Sequence, residues 1–197
     1  MNVTLQYYID LLGAVWFEDR LHMNSYSLGL SMLTATENSA VTNVAMERVK
    51  HFVNSELANV VFVNQAHSKA VAALRDLGAN VCTLPDEPVD QIIGIMLFCK
   101  LNAVTQRNLL ITELEVASSQ GDNIWYRHHA DDNIGPFAQE GWWLSKAANH
   151  SSIDTKTDKN VVNLERDGWK ELGLEWPDQQ PKKAKILRPN FKKNEKQ

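Results

Sequence analysis

The chain has 197 residues, a formal charge of −4 from 20 Lys+Arg against 24 Asp+Glu, and 44% hydrophobic residues, with 9 Gly, 6 Pro and 2 Cys. Those figures describe one folded domain, with or without an extension. They exclude collagen-like, disulfide-framed and wholly disordered chains. A chain of this length buries roughly 70% of the surface its unfolded form exposes, so folding requires no metal or disulfide staple. The charge is unevenly placed. Residues 181–197 hold seven basic residues and one acid, +6 in all, which leaves −10 for residues 1–180.

From the N-terminus, Leu5, Tyr7 and Ile9 recur at every second position, which predicts a strand over about 3–9. Gly13 interrupts the run, and a second short element follows at 14–18. Residues 26–34 alternate Tyr26, Leu28, Leu30 and Met32 with small or polar partners and predict a strand. The polar stretch Thr36-Glu37-Asn38-Ser39 supplies helix-capping residues. Val41, Val44, Ala45, Val49, Phe52, Val53 and Leu57 then form one helical stripe, predicting an amphipathic helix over about 39–57.

Residues 59–63 read as a short strand, 68–77 as a helix closed by Gly78, and 79–84 as another strand. That succession is a compact unit with parallel strands. Pro85 to Pro88 stops the strand and opens a helix over about 87–105 that is apolar around most of its circumference. Residues 109–117 and 123–128 predict an antiparallel hairpin. Beyond His129 the apolar periodicity stops. Residues 130–180 read as an irregular, Trp-anchored wrap with a short helix near 163–172, and residues 178–197 read as disordered. The expected fold is α/β with two layers, a mixed sheet of about five to seven strands packed on the helices at 39–57 and 87–105. The division is a single domain over 1–145, an irregular wrap over 146–180 and a flexible basic tail over 181–197.

Cys82 and Cys99 each sit among apolar residues and read as buried, reduced thiols. The N-terminus lacks the charge pattern of a signal peptide, and the most apolar run, 92–101, is too short to span a bilayer. The expected location is the cytoplasm, without membrane contact.

The densest chemical cluster is Trp125-Tyr126-Arg127-His128-His129-Ala130-Asp131-Asp132-Asn133. His128, His129, Asp131 and Asp132 are the residue types that hold a divalent metal. Neighbours on a strand point to opposite faces, however, so both histidines reach one ion only if a turn separates them. A metal-free alternative uses one histidine as general base with Asp131 or Asp132 orienting it. A second cluster pairs Phe137 with Trp142 and Trp143, aromatic residues that either cap the core or dock a partner. A third, Asp86, Glu87 and Asp90 with Glu113 and Glu115, is accounted for by a helix N-terminus and the solvent side of a strand. A fourth, Asp10, Asp19, Arg20 and His22, shows no chemical spacing. Phosphate-cradling glycine loops and the nucleophile elbow are absent, which excludes the common nucleotide-dependent enzymes.

The run Asn43-Val44-Ala45-Met46-Glu47-Arg48-Val49, the turn from Leu84 to Gly94, and Gly135-Pro136-Phe137 with Gly141-Trp142-Trp143 resemble conserved-hypothetical proteins of tailed bacteriophages. The resemblance covers about residues 1–145. It implies a protein acting in the cytoplasm of an infected bacterium, and it assigns no activity and no site residue.

With no catalytic motif beside the aromatic cluster and the tail, the chain reads as a non-enzymatic interaction or regulatory protein without a cofactor. Its protein partner would dock on Phe137, Trp142 and Trp143 and on Lys182, Lys183, Lys185 and Arg188. Two other readings stand beside it. One is a hydrolase or nuclease holding a divalent metal on His128, His129, Asp131 and Asp132. The other is a nucleic-acid-binding protein using the tail and tryptophans, against which the −10 body argues by repelling phosphates. Oligomeric state is not legible in the sequence.

Overall fold

A computed structural model describes residues 4–122, 124–150 and 168–177. Two strands, β1 (Thr4–Phe17) and β2 (Arg20–Thr34), form one long antiparallel hairpin paired from Thr4↔Leu33 to Phe17↔Arg20. The break expected at Gly13 does not occur. Glycine is required there for proximity, since a Cβ would stand 2.8 Å from the Val60 carbonyl oxygen. Glu18 and Asp19 turn the chain with φ of 49° and 57°, the left-handed pair whose twist suits a two-residue hairpin.

The next helix, α1 (Ser39–His51), is capped by Asn38, whose Oδ1 accepts from the Ala40 N–H at 3.0 Å. It ends in one π-helical turn, Phe52–Glu56, instead of continuing as α-helix to 57. The unit β3 (Val60–Asn64), α2 (Ser68–Asp76) and β4 (Val81–Leu84) has the expected parallel strands. Then come α3 (Asp90–Thr105) and the antiparallel pair β5 (Leu109–Ser118) and β6 (Tyr126–His129). The six strands form one mixed sheet in the order β4-β3-β1-β2-β5-β6, with β1 parallel to β3. The α/β class is as expected. Among the described residues, no helix is long and apolar enough to cross a membrane.

Strand alternation sorts the side chains onto two faces. Tyr26, Leu28, Leu30 and Met32 of β2 join α1 and α3 in the main core, while Ala14, Val61 and Val63 pack with Val71 and Leu74 of α2 on the other face. Away from α2 that second face is open, with Tyr8, Leu12 and Met23 exposed. Cys82 and Cys99 are free, buried thiols, and burial pushes both up, Cys99 to about 11.

The core does not end near residue 129. Phe137, Trp142, Trp143, Ala148, Trp169 and Trp176 all belong to it. Two buried cations hold these C-terminal residues. Lys100 Nζ donates toward the carbonyl oxygens of Ala147 (2.9 Å), Ser145 (3.0 Å), Trp142 (3.2 Å) and Asn149 (3.4 Å). Arg48 donates to the Leu174 carbonyl through Nε and Nη2 (2.9 and 2.7 Å) and to Val104 through Nη1 (3.2 Å). Its guanidinium lies 3.9 Å from the Trp176 ring centroid and 4.5 Å from that of Trp169. The expected helix near 163–172 falls mostly outside the described residues, as does the whole tail with Lys182, Lys183, Lys185 and Arg188.

This region also carries a pH dependence. Burial lowers His150 to about 4, with the Lys100 and Arg75 charges adding to the effect and the Glu56 carbonyl opposing it. An unfolded histidine titrates near 6.5. Between about 6.5 and 4 the unfolded chain therefore binds a proton that the folded chain does not. The contribution is complete above about 6.5 and is lost as the pH falls to about 4, about 3 kcal/mol in all. Urea titrations across that range should show the fall, and His150→Asn should flatten it. An unchanged slope in the variant would assign the effect elsewhere.

Candidate functional site

The strand β6 places His128 and His129 on opposite faces of the sheet, as backbone alternation requires. His128 faces α3. It is 8% exposed, and its ring meets Phe98 edge-on with centroids 4.7 Å apart. Its Nδ1 stands 3.8 Å from Asp132 Oδ2, and its Nε2 is buried with no hydrogen-bond partner. The turn after β6 explains the approach of Asp132. Asp132 Oδ2 accepts from the His129 N–H at 2.7 Å, and the Asp132 N–H donates to the His129 carbonyl at 3.1 Å.

His128 lines a cavity of about 150 Å³ between the N-terminal half of α3 and the β5–β6 edge of the sheet. Gln91, Gly94 and Ile95 form the helix wall, Leu114 and Val116 the floor, and Asp132 and Asn133 part of the rim. Gly94 sets the spacing, because a Cβ there would meet Val116 Cγ1 at 2.8 Å. Burial lowers the His128 imidazole below its ordinary value against the opposing pull of Asp132, with His129 adding to the lowering. The ring is therefore neutral near pH 7, the form that accepts a proton.

The four residues expected to share a metal are not brought together. His129 is half exposed on the other face, with Nδ1 3.3 Å from Glu113 Oε2. Asp131 is exposed. Only His128 and Asp132 approach one another. Among the described residues no group of three or more His, Cys, Asp or Glu is placed to hold a metal ion. Arg127 pairs with Glu115 through Nε (2.8 Å) and Nη2, and its Nε lies 3.6 Å from Glu113.

The remaining clusters also disperse. Glu87 Oε1 accepts from Asn64 Nδ2 at 2.8 Å and lies 3.2 Å from His67 Nε2, while Asp86 accepts from the Glu87 N–H. Asp90 accepts from Ser118 Oγ at 2.7 Å. Asp10 accepts from Ser27, Asp19 sits in the hairpin turn, and His22 shares a strand face with Tyr26. Sequence reasoning missed Gln91 and Gly94. Gly94 did carry a signal, as a glycine inside an apolar helix marks close approach of a neighbour.

Phe137, Trp142 and Trp143 are not a docking loop. Trp142 and Trp143 are each 5% exposed, and Phe137 is fully buried. Trp142 Nε1 donates to the Thr83 carbonyl at 2.9 Å, and Trp143 Nε1 to those of Phe137 and Gln139 at 3.0 and 3.1 Å. An interior indole whose N–H is satisfied inside the chain offers nothing to a partner.

No protein-family model matches the chain. No curated protein matches it either. Among solved structures, the chain is similar to an uncharacterized protein from Wolinella succinogenes, at 8% identity over 66% of this chain and 99% of that one, with a TM-score of 0.45. It is also similar to 6-pyruvoyl tetrahydropterin synthase from Plasmodium vivax, at 12% identity over 67% and 99% of the two chains, TM-score 0.44. The Plasmodium falciparum synthase gives 12% identity over 65% and 97%, TM-score 0.43. At TM-scores below 0.5 these likenesses are partial, and no chemistry is transferred from them. The burial of Trp142 and Trp143 corrects the expectation that a partner docks on a Trp-rich loop, while the tail expected to share that role lies outside the described residues.

Proposed function

We propose that the protein is an enzyme that moves a proton on a small molecule held between α3 and β6, with His128 as the acid–base group and Asp132 as its orienting partner. One observation carries this reading: the Nε2 of a 92%-buried, cavity-lining histidine has no partner, while its other ring nitrogen faces a carboxylate. Buried polar atoms are almost always hydrogen-bonded, so an unpartnered one beside a cavity marks a place for a ligand atom. The 3.8 Å separation from Asp132 is longer than a hydrogen bond, as such contacts often are before substrate closes them. With the proton on Nδ1 toward Asp132, Nε2 carries the lone pair, and Asp132 stabilises the imidazolium once Nε2 is protonated. The small cavity limits the substrate to metabolite-fragment size.

The test is a thermal-shift screen of small metabolites on the full chain, followed by turnover assays on each binder. His128→Phe keeps a ring against Phe98, and its stability should stay within about 1.5 kcal/mol of the parent. It should nevertheless lose the ligands that the parent binds. If the variant keeps the same ligands, His128 is a core residue and the reading fails.

A further inference from the structure

Resting on that cavity reading, we infer that the site takes a small uncharged hydroxyl compound, its O–H donated to His128 Nε2 and its apolar body packed against Ile95, Leu114 and Val116. Asp132 faces the Nδ1 side of the His128 ring. A carboxylate there attracts an N–H and repels a lone pair, so the proton sits on Nδ1 and Nε2 is an acceptor. Nε2 lies on the other side of the ring, away from Asp132 and the exposed rim, and it is buried without a partner. The ligand atom that meets Nε2 must therefore be a donor.

The lining sorts by depth. Its charged and amide residues are exposed, whereas Gly94, Ile95, Leu114 and Val116 are buried and carry no polar side chain. Of the described residues that line the cavity, His128 is the buried one with a polar side chain. Arg127 supplies no charge at depth, because its guanidinium is held by Glu115 and Glu113. A carboxylate here would meet the Nε2 lone pair with no cation to offset it. An ammonium would satisfy Nε2 with one hydrogen and leave two others facing apolar side chains. A ketone or an ether brings no hydrogen at all. Each of these leaves a buried polar or charged group unpaired, which is the costly outcome. A hydroxyl supplies the one donor that is needed and carries no charge. The size agrees, since a cavity of about 150 Å³ accommodates a molecule as large as benzene.

Three probes built on one ring separate the classes: cyclopentanol, cyclopentanone and cyclopentylammonium, each titrated into the full chain near neutral pH. The readouts are the His128 ring signals in nitrogen-correlated NMR and the thermal midpoint. Cyclopentanol should move the Nε2 signal at millimolar concentration and bind about three- to tenfold more tightly than cyclopentanone, the range of one hydrogen bond. His128→Phe should lose that preference, because the acceptor is gone. If the ketone or the ammonium binds as tightly and moves the Nε2 signal as far, the hydroxyl assignment is overturned while the His128 site stands. If none of the three binds, the metabolite screen decides. His128-dependent ligands that are uncharged hydroxyl compounds would support the assignment, and charged or hydroxyl-free ones would overturn it alone. If neither experiment finds a ligand at His128, the two readings fall together.

Discussion

Lys100→Ala is expected to lower the unfolding free energy by about 3–5 kcal/mol. The side chain is fully buried in α3, and its Nζ is the donor for four main-chain carbonyl oxygens between Trp142 and Asn149. The Phe52 and Trp142 ring centroids, each 5.6 Å away, complete the cage. Burial draws the ammonium down to about 7 even against the Glu56 and Cys82 groups, which pull it up. A neutral amine, however, has only two N–H groups and would turn a lone pair toward oxygen. The carbonyls therefore select the ammonium, since they return much of the solvation that burial removes. Truncation leaves both a cavity and unsatisfied carbonyls. Lys100→Met refills most of the volume, and its cost of about 1–3 kcal/mol isolates the polar part. Urea unfolding measures the totals, and hydrogen exchange shows whether residues 142–150 loosen before the sheet does. A methionine variant as stable as the parent, with unchanged exchange, would show that the cage contributes nothing.

Arg48→Ala is expected to cost a similar amount, about 3–5 kcal/mol, for a related reason. The guanidinium lies near the Trp169 and Trp176 rings while donating to the carbonyls of Leu174 and Val104. It thereby links the end of α3, through Val104, to residues 169–176. Arg48→Lys retains the charge but loses the flat fork and the stacking, so it should recover less than half of the loss. Near-ultraviolet circular dichroism should weaken in both variants as the indoles lose their fixed environment. Equal stability of Arg48→Lys and the parent would show that charge, and not stacking geometry, carries the contact.

Both residues bear on how much could be read in advance. The single charge in the apolar run from Ile92 to Val104 is Lys100. Arg48 lies three residues after Ala45 and four before Phe52, on the apolar stripe of α1. A charge on a buried face must find a partner, so each was a signal of packing against backbone oxygen or aromatic rings. The identity of those partners was not legible, because they lie from 42 to 128 positions away. The same limit explains the tryptophans. Their separation from any aliphatic period resembles an exposed binding loop, and only the seats beside α3 and β4 show them to be interior.

The candidate site divides in the same way. That His128 and His129 point to opposite faces follows from strand geometry, and the approach of Asp132 to His128 follows from a short turn closed by its own hydrogen bonds. The cavity does not follow from either. It lies where α3 approaches β5 closely at Gly94, a meeting of distant segments that the strand and turn patterns around His128 do not record.

By itself, then, the sequence determined the class of the fold, the parallel unit from β3 to β4, the reduced cysteines and the charge division between residues 1–180 and the last 17 residues. These depend on periodicity, turn chemistry and composition, which act over a few residues. Tertiary structure decided that the hairpin of β1 and β2 is continuous, that Phe137, Trp142, Trp143, Trp169 and Trp176 complete the core, and that His128 alone of the two histidines faces a cavity. Those outcomes depend on which surfaces meet, and burial free energy is settled only when distant segments exclude water together.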